Sequence, residues 1–230
     1  QIILAVEPVI HAGFPLDAGA ILLIEVDGLT EATLEEAETI EALCVRSGAR
    51  EVRTAVEQAD RDLLWLGRKS AISAMGRLFP NYYVLDGVVP RTKLPEVLRQ
   101  CNGIAAKYGL ALAHVFHAGD GNLHPNLMFD ERIPGTLERV LAAGAEMMRL
   151  CVDAGGSITG EHGVGLEKRD FLGWIFDDAA LDAMKKLKRA FKAGEQYSPC
   201  KAFPTTKGCG EVSSARIARL ADALGEDVYV

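Results

Sequence analysis

The apolar positions along the chain fall into two periods, and the period switches at glycine, proline and Asp-Gly steps. Ile21–Val26 is a short apolar run closed by Asp27-Gly28, the pattern of a buried strand and a turn. A helical stripe follows on Leu34, Ala37, Ile40, Leu43 and Cys44, with Thr30 or Thr33 as cap, Thr33 and Glu36 as a capping box, and Gly48 as its stop. Glu51–Glu57 alternates as a half-buried strand does. A helix is predicted from Asp60 to about Phe79, before Pro80. A strand with a turn at Asp86-Gly87 follows over Tyr82–Val89, then a helix over Leu94–Lys107 that stops at Gly109. Strands are predicted at Leu110–His117 and Leu123–Phe129, and helices at Pro134–Ala154 and Asp178–Ala193. Beyond Pro204, the amphipathic stretch Ala215–Leu224 reads as a peripheral helix.

The order β-α-β-α-β-α-β-β with antiparallel neighbours predicts an α+β fold. Its expected form is a ferredoxin-like split-βαβ sheet, helices on one face and a helical C-terminal extension. Residues 1–20 are read as a lead-in, 21–204 as the main domain and 205–230 as a tail.

Composition narrows the function. With 230 residues, 49% of them hydrophobic and 25% charged, the chain can bury an ordinary core, which argues against disorder. Lys plus Arg is 25 against 32 for Asp plus Glu, a net charge of −7, and no basic run offsets it; a nucleic-acid partner is not expected. No apolar stretch reaches the ~18 residues of a membrane span, and Gln1–Gly13 carries Glu7 and no basic flank, unlike a signal peptide. The cysteines (44, 101, 151, 200 and 209) are odd in number and include no C-x-x-C pair, which favours a reducing compartment and a cytoplasmic location.

The chemistry concentrates in two stretches. His114, His117 and His124 lie in HVFHAGDGNLHPN, and Glu161 and His162 in GGSITGEHGVG. A reversal through Gly119 and Gly121 brings His117 and His124 to one end of a hairpin, with Asn126 on the same strand face as His124. Two imidazoles and one carboxylate form a set that suits Zn²⁺, Mn²⁺ or Fe²⁺ with open positions. On spacing alone, a structural histidine pair and a glycine-rich turn capped by Glu161 account for these residues equally well. Arg68 stands on the apolar stripe Leu64, Arg68, Ile72 and Met75 and calls for an anion, either a structural carboxylate or a substrate carboxylate. There is no P-loop, no Rossmann fingerprint and no G-x-S-x-G elbow.

HAGDGNLHPN, then GGSITGEHGVGLEKR, then YSPCKAFP resemble the C-terminal half of FAD-linked 2-hydroxyacid oxidases and dehydrogenases of the vanillyl-alcohol-oxidase type, the glycolate-oxidase branch above all. The stretch from Trp65 to Leu98 adds to the likeness, which spans about Ile21 to Pro204. The resemblance implies that His117, His124 and Glu161 hold a divalent metal, that His162 is the base, and that Arg68 and Asn126 contact substrate. It implies FAD as hydride acceptor, a small 2-hydroxy acid as substrate, and a further electron acceptor. Ser198 and Lys201 stand where the family has a terminal Asn-Pro-x-Lys, a weak link to the flavin. Ile72 and Val84 replace a threonine and a lysine of the 2-hydroxyglutarate branch, which implies a small or apolar substrate tail. The family's FAD-cradling segments are not among these residues, so an FAD-binding domain or subunit is an expected partner, and the chain by itself is expected to be inactive. The alternatives are a stand-alone metal-dependent hydrolase or lyase, and a non-catalytic fragment or subunit.

Overall fold

The computed structural model describes residues 1–191 and 201–204, in two compact units: Gln1–Asn81, and the chain from Tyr82 on. The peripheral helix expected at Ala215–Leu224 and the position of Ser198 lie outside the described residues.

The first unit is helical. α1 (Ile2–Ile10) packs against α4 (Ala71–Met75) and α3 (Gln58–Lys69), burying Ala5, Val6, Ala71, Ala74 and Met75. The sequence reading left α1 unassigned. The helix ends in a left-handed His11, and the Glu7 carboxylate accepts from the Gly13 and Phe14 N–H groups, fastening the exit of the chain. α2 (Thr30–Arg46) forms, but Leu34 and Leu43 of the expected stripe are exposed, no residue is fully buried, and the helix starts from Leu29 with no side-chain cap in place of the expected threonine.

Two expected strands of this unit do not form. Ile21–Val26 and Glu51–Glu57 belong to no ladder. Apolar and alternating patterns specify a strand only when another strand accepts its backbone hydrogen bonds. Here Ile21 and Leu22 are exposed, and the second stretch is fixed by side chains instead: Arg50 grips Asp17 through two bonds of 2.8 Å, and Arg53 donates to the Ala12 carbonyl. The helix expected from Asp60 to Phe79 is divided at Ser70 into α3 and α4.

The second unit carries the sheet. β1 (Asn81–Val84) and β3 (Ala111–His114), joined through α5 (Leu94–Lys107), flank β5 (Pro125–Phe129) in the order β1-β5-β3, a split βαβ arrangement. β3 and β5 are antiparallel, with Ala113 opposite Asn126. A second small ladder pairs β2 (Gly87–Val88) with β4 (Asn122–Leu123), antiparallel. The class is α+β. α6 (Thr136–Asp153) packs on α5 and β5, and α7 (Asp178–Ala190) starts at an Asp177 cap that accepts from the Ala180 N–H.

Residues of the β4–β5 segment sort by parity. Leu123, Leu127 and Phe129 enter the core with Val97 and Cys101 of α5 and Val140, Met147 and Cys151 of α6. The strand period of two sends His124, Asn126 and Met128 to the opposite face. That alternation delivers a buried histidine to a face away from the helices.

Candidate metal centre

His117 ends the segment after β3, and His124 separates β4 from β5. The turn between them is closed by His117, whose N–H donates to the Asn122 carbonyl and whose carbonyl accepts from Asn122. Gly121 is required there. Its φ is +71°, and a Cβ would stand 2.1 Å from the Val89 carbonyl oxygen.

His124 is buried, and both ring nitrogens are engaged. Nδ1 lies 3.2 Å from the Leu85 carbonyl oxygen, which can only accept. Nε2 lies 2.8 Å from Oε1 of Glu161, another acceptor. A neutral imidazole has one N–H to give, so it donates either to Glu161 from Nε2 or to Leu85 from Nδ1; in the second case its Nε2 lone pair faces the carboxylate, and a divalent ion held by both would satisfy them. His117 Nε2 stands 3.7 Å from the same Oε1, with its side chain about half exposed. The two rings meet edge-on at 5.7 Å, and His162 stacks on His124 at 5.0 Å and 10°. Asp86, His124, Glu161 and His162 each place a ligand atom within 4.8 Å of the others.

The structure thus brings His117, His124, Glu161 and His162 together. Asn126 lies beneath them and is fully buried. Its Nδ2 donates to the His124 carbonyl at 2.6 Å and the Ala113 carbonyl at 3.3 Å; its Oδ1 has no partner among the described residues. Arg68 belongs to the first unit, on α3; it is half-buried and its side chain makes no hydrogen bond or ion pair among the described residues. Lys201 is exposed, and its carbonyl accepts from the Lys188 ammonium, while the next residue's N–H donates to Gly165.

The donor set fits a divalent ion. With its proton on Nδ1, against the Leu85 carbonyl, His124 turns an Nε2 lone pair toward the Glu161 carboxylate, which Nε2 of His117 approaches at 3.7 Å.

The model of the FAD linked oxidases, C-terminal domain, matches residues 1–202. The chain belongs to that family. It is 41% identical over 213 residues to the glycolate oxidase subunit GlcD of Escherichia coli K12, covering 93% of this chain and 43% of that protein. Against the same-named subunit of Bacillus subtilis the identity is 40% over 87% of this chain and 43% of the relative. Against the mitochondrial cytochrome-type D-lactate dehydrogenase of Kluyveromyces lactis it is 29% over 79% and 32%. The chain therefore spans less than half the length of these relatives.

Within this FAD-linked oxidase C-terminal domain, sequence reasoning missed Asp86 and Lys168. Asp86 was read only as the first residue of a turn. The signal that could have found it is a carboxylate directly after the apolar Val84-Leu85, together with an unexplained lysine in the Gly-Leu-Glu-Lys-Arg end of the second motif. Burial alone would raise the Asp86 carboxyl. Hydrogen bonds from Lys168, Thr159 and the His162 N–H outweigh it and hold the group below the usual carboxylate range. No helix among the described residues is long and apolar enough to cross a membrane.

Proposed function

We propose that this chain is the substrate- and metal-binding portion of a flavin-dependent oxidoreductase that oxidises glycolate or a small D-2-hydroxy acid to the 2-oxo acid. The observation that carries the reading is the contact between His124 Nε2 and Glu161 Oε1 beside His117, with Nδ1 of His124 held by the Leu85 carbonyl. His117, His124 and Glu161 are proposed to hold the divalent ion, zinc, manganese or iron. When bound, the ion supplies Lewis acidity toward the substrate hydroxyl and carboxylate, and FAD, carried by the rest of the protein, supplies the hydride acceptor.

The chain's own residues take the remaining parts. His162, exposed and stacked on His124, accepts the hydroxyl proton on a ring nitrogen. Arg68, without a partner among the described residues, offers its guanidinium to the substrate carboxylate. Asn126 holds the His124 carbonyl from below through Nδ2, and a direct substrate contact would use its Oδ1. Ile72 and Val84 suit a short or apolar substrate tail. Lys201 is proposed as a contact to the flavin, with Ser198 standing in place of the family's asparagine. An FAD-binding domain or subunit, a further electron acceptor and a cytoplasmic location complete the reading. The thiols of Cys44, Cys101 and Cys151, free in the structure, support that location.

The test is metal content by plasma mass spectrometry on the chain and on His124→Ala. Near-stoichiometric metal that vanishes in the variant supports the centre. Metal retained by His124→Ala, or none in either protein after incubation with zinc or manganese, overturns it.

A further inference from the structure

We propose that Asp86 and Lys168 are the positioning pair of this site: a buried carboxylate and its counter-charge that seat the 159–162 loop and thereby aim Glu161 and His162. The inference rests on the metal-site reading for its purpose, and on the hydrogen bonds alone for its existence.

Asp86 is fully buried, at 0% exposure, on the residue just before β2. Its Oδ1 accepts from the N–H groups of Gly160 (3.1 Å) and Glu161 (3.2 Å). Its Oδ2 accepts from the Thr159 hydroxyl (2.8 Å), the Gly160 and His162 N–H groups (both 3.1 Å) and the Lys168 ammonium (2.9 Å). Three successive backbone N–H groups converge on one anion, the geometry of a backbone nest. Lys168, 4% exposed, donates also to the Asp86 carbonyl at 3.2 Å. Each charge is therefore buried with a partner, the condition for keeping it ionised.

The seat is close-fitting on its other sides. A Cβ on Gly160 would stand 2.7 Å from the Asn122 side chain, and one on Gly156 would stand 1.7 Å from the Val88 carbonyl oxygen. Val88 and Ser157 exchange backbone bonds, so the loop leaves from the strand segment that carries Asp86.

The proximity of Asp86 to His124, Glu161 and His162 suggests a second role, that of a metal ligand. The contacts argue against it. Both carboxylate oxygens already accept at least two donors, and a divalent ion there would lie against the Lys168 ammonium. The two roles predict opposite effects of removing Lys168. If Asp86 were a ligand, losing the competing cation would tighten metal binding. If Asp86 is the seat of the loop, losing Lys168 loosens the loop and weakens it.

The experiment measures amide hydrogen exchange across residues 159–162 and Mn²⁺ binding by electron paramagnetic resonance, on the chain, Lys168→Met and Lys168→Arg. The loop amides of the unaltered chain are expected to be protected. In Lys168→Met they exchange about tenfold faster or more, with α5 and α6 unchanged. Lys168→Arg retains most of the protection. Mn²⁺ affinity falls roughly 10–100-fold in Lys168→Met. Loop amides that exchange at free-peptide rates in the unaltered chain overturn the proposal, as does unchanged protection in Lys168→Met or tighter Mn²⁺ binding by it. If the unaltered chain binds no Mn²⁺, the metal reading fails while the exchange rates still decide the anchor. If Lys168→Met does not fold, the unaltered chain and Lys168→Arg decide it.

Discussion

Nε2 of His124 and Oε1 of Glu161 stand 2.8 Å apart across 37 positions of sequence, a ring nitrogen and a carboxylate oxygen brought to hydrogen-bond distance from two separate motifs. Glu161→Gln keeps the shape and removes the charge. Zn²⁺ affinity, measured by competition with a chromophoric chelator, is expected to fall by roughly tenfold or more. The thermal midpoint without metal should change little, because the Glu161 side chain is half exposed.

His114 gives a pH dependence of stability with a definite sign. Burial pushes its imidazole down to about 4 from an ordinary 6.5, and its Nδ1 has no partner among the described residues. The unfolded chain takes up the proton below about 6.5, whereas the folded chain takes it up only near 4. Stability is therefore complete above that upper value and declines between the two, by roughly 3 kcal/mol in all. Denaturant unfolding at pH 7 and pH 4.5 is expected to show this loss, with His114→Gln showing less of it.

Two glycines should respond in opposite directions to alanine. Gly156→Ala drives a Cβ into the Val88 carbonyl and is expected to cost several kcal/mol or prevent folding. Gly103 is exposed within α5 with open space around it, so Gly103→Ala is expected to stabilise by about 1 kcal/mol through lower unfolded-chain entropy. Urea unfolding of both variants checks the pair.

Thiol chemistry should divide along burial. Desolvation pushes Cys101 up to about 11 and Cys151 up to about 12, and both are enclosed between α5 and α6. Peptide mapping after iodoacetamide at pH 8 is expected to find Cys44 alkylated, with Cys101 and Cys151 labelled only after denaturation.

The sequence made the second unit legible because its signals were local. Pro90 and Gly109 bracket α5, glycines bound the His117–His124 reversal, and strand parity put His124 and Asn126 on one face. The first unit was less legible. Ile21–Val26 and Glu51–Glu57 carry strand patterns without neighbouring strands, and α1 hides its helical character behind an internal Pro8. The two histidine motifs named the residues that converge, but not what holds them. Asp86 is invisible to spacing because its donors, three backbone N–H groups with the Thr159 hydroxyl and the Lys168 ammonium, all lie more than 70 positions away.

The buried Asp86 carboxylate has a consequence for how the second unit folds. Its first donor arrives 73 positions later, at Thr159, so β2 cannot close over it with the loop missing without burying an unpaired charge. A chain truncated after α6 would keep every strand of both ladders yet leave that charge stranded. The sheet edge and the distant loop are thereby made to form together, and the unit is expected to unfold in a single cooperative transition, with no stable intermediate in which the strands are paired and the loop is free.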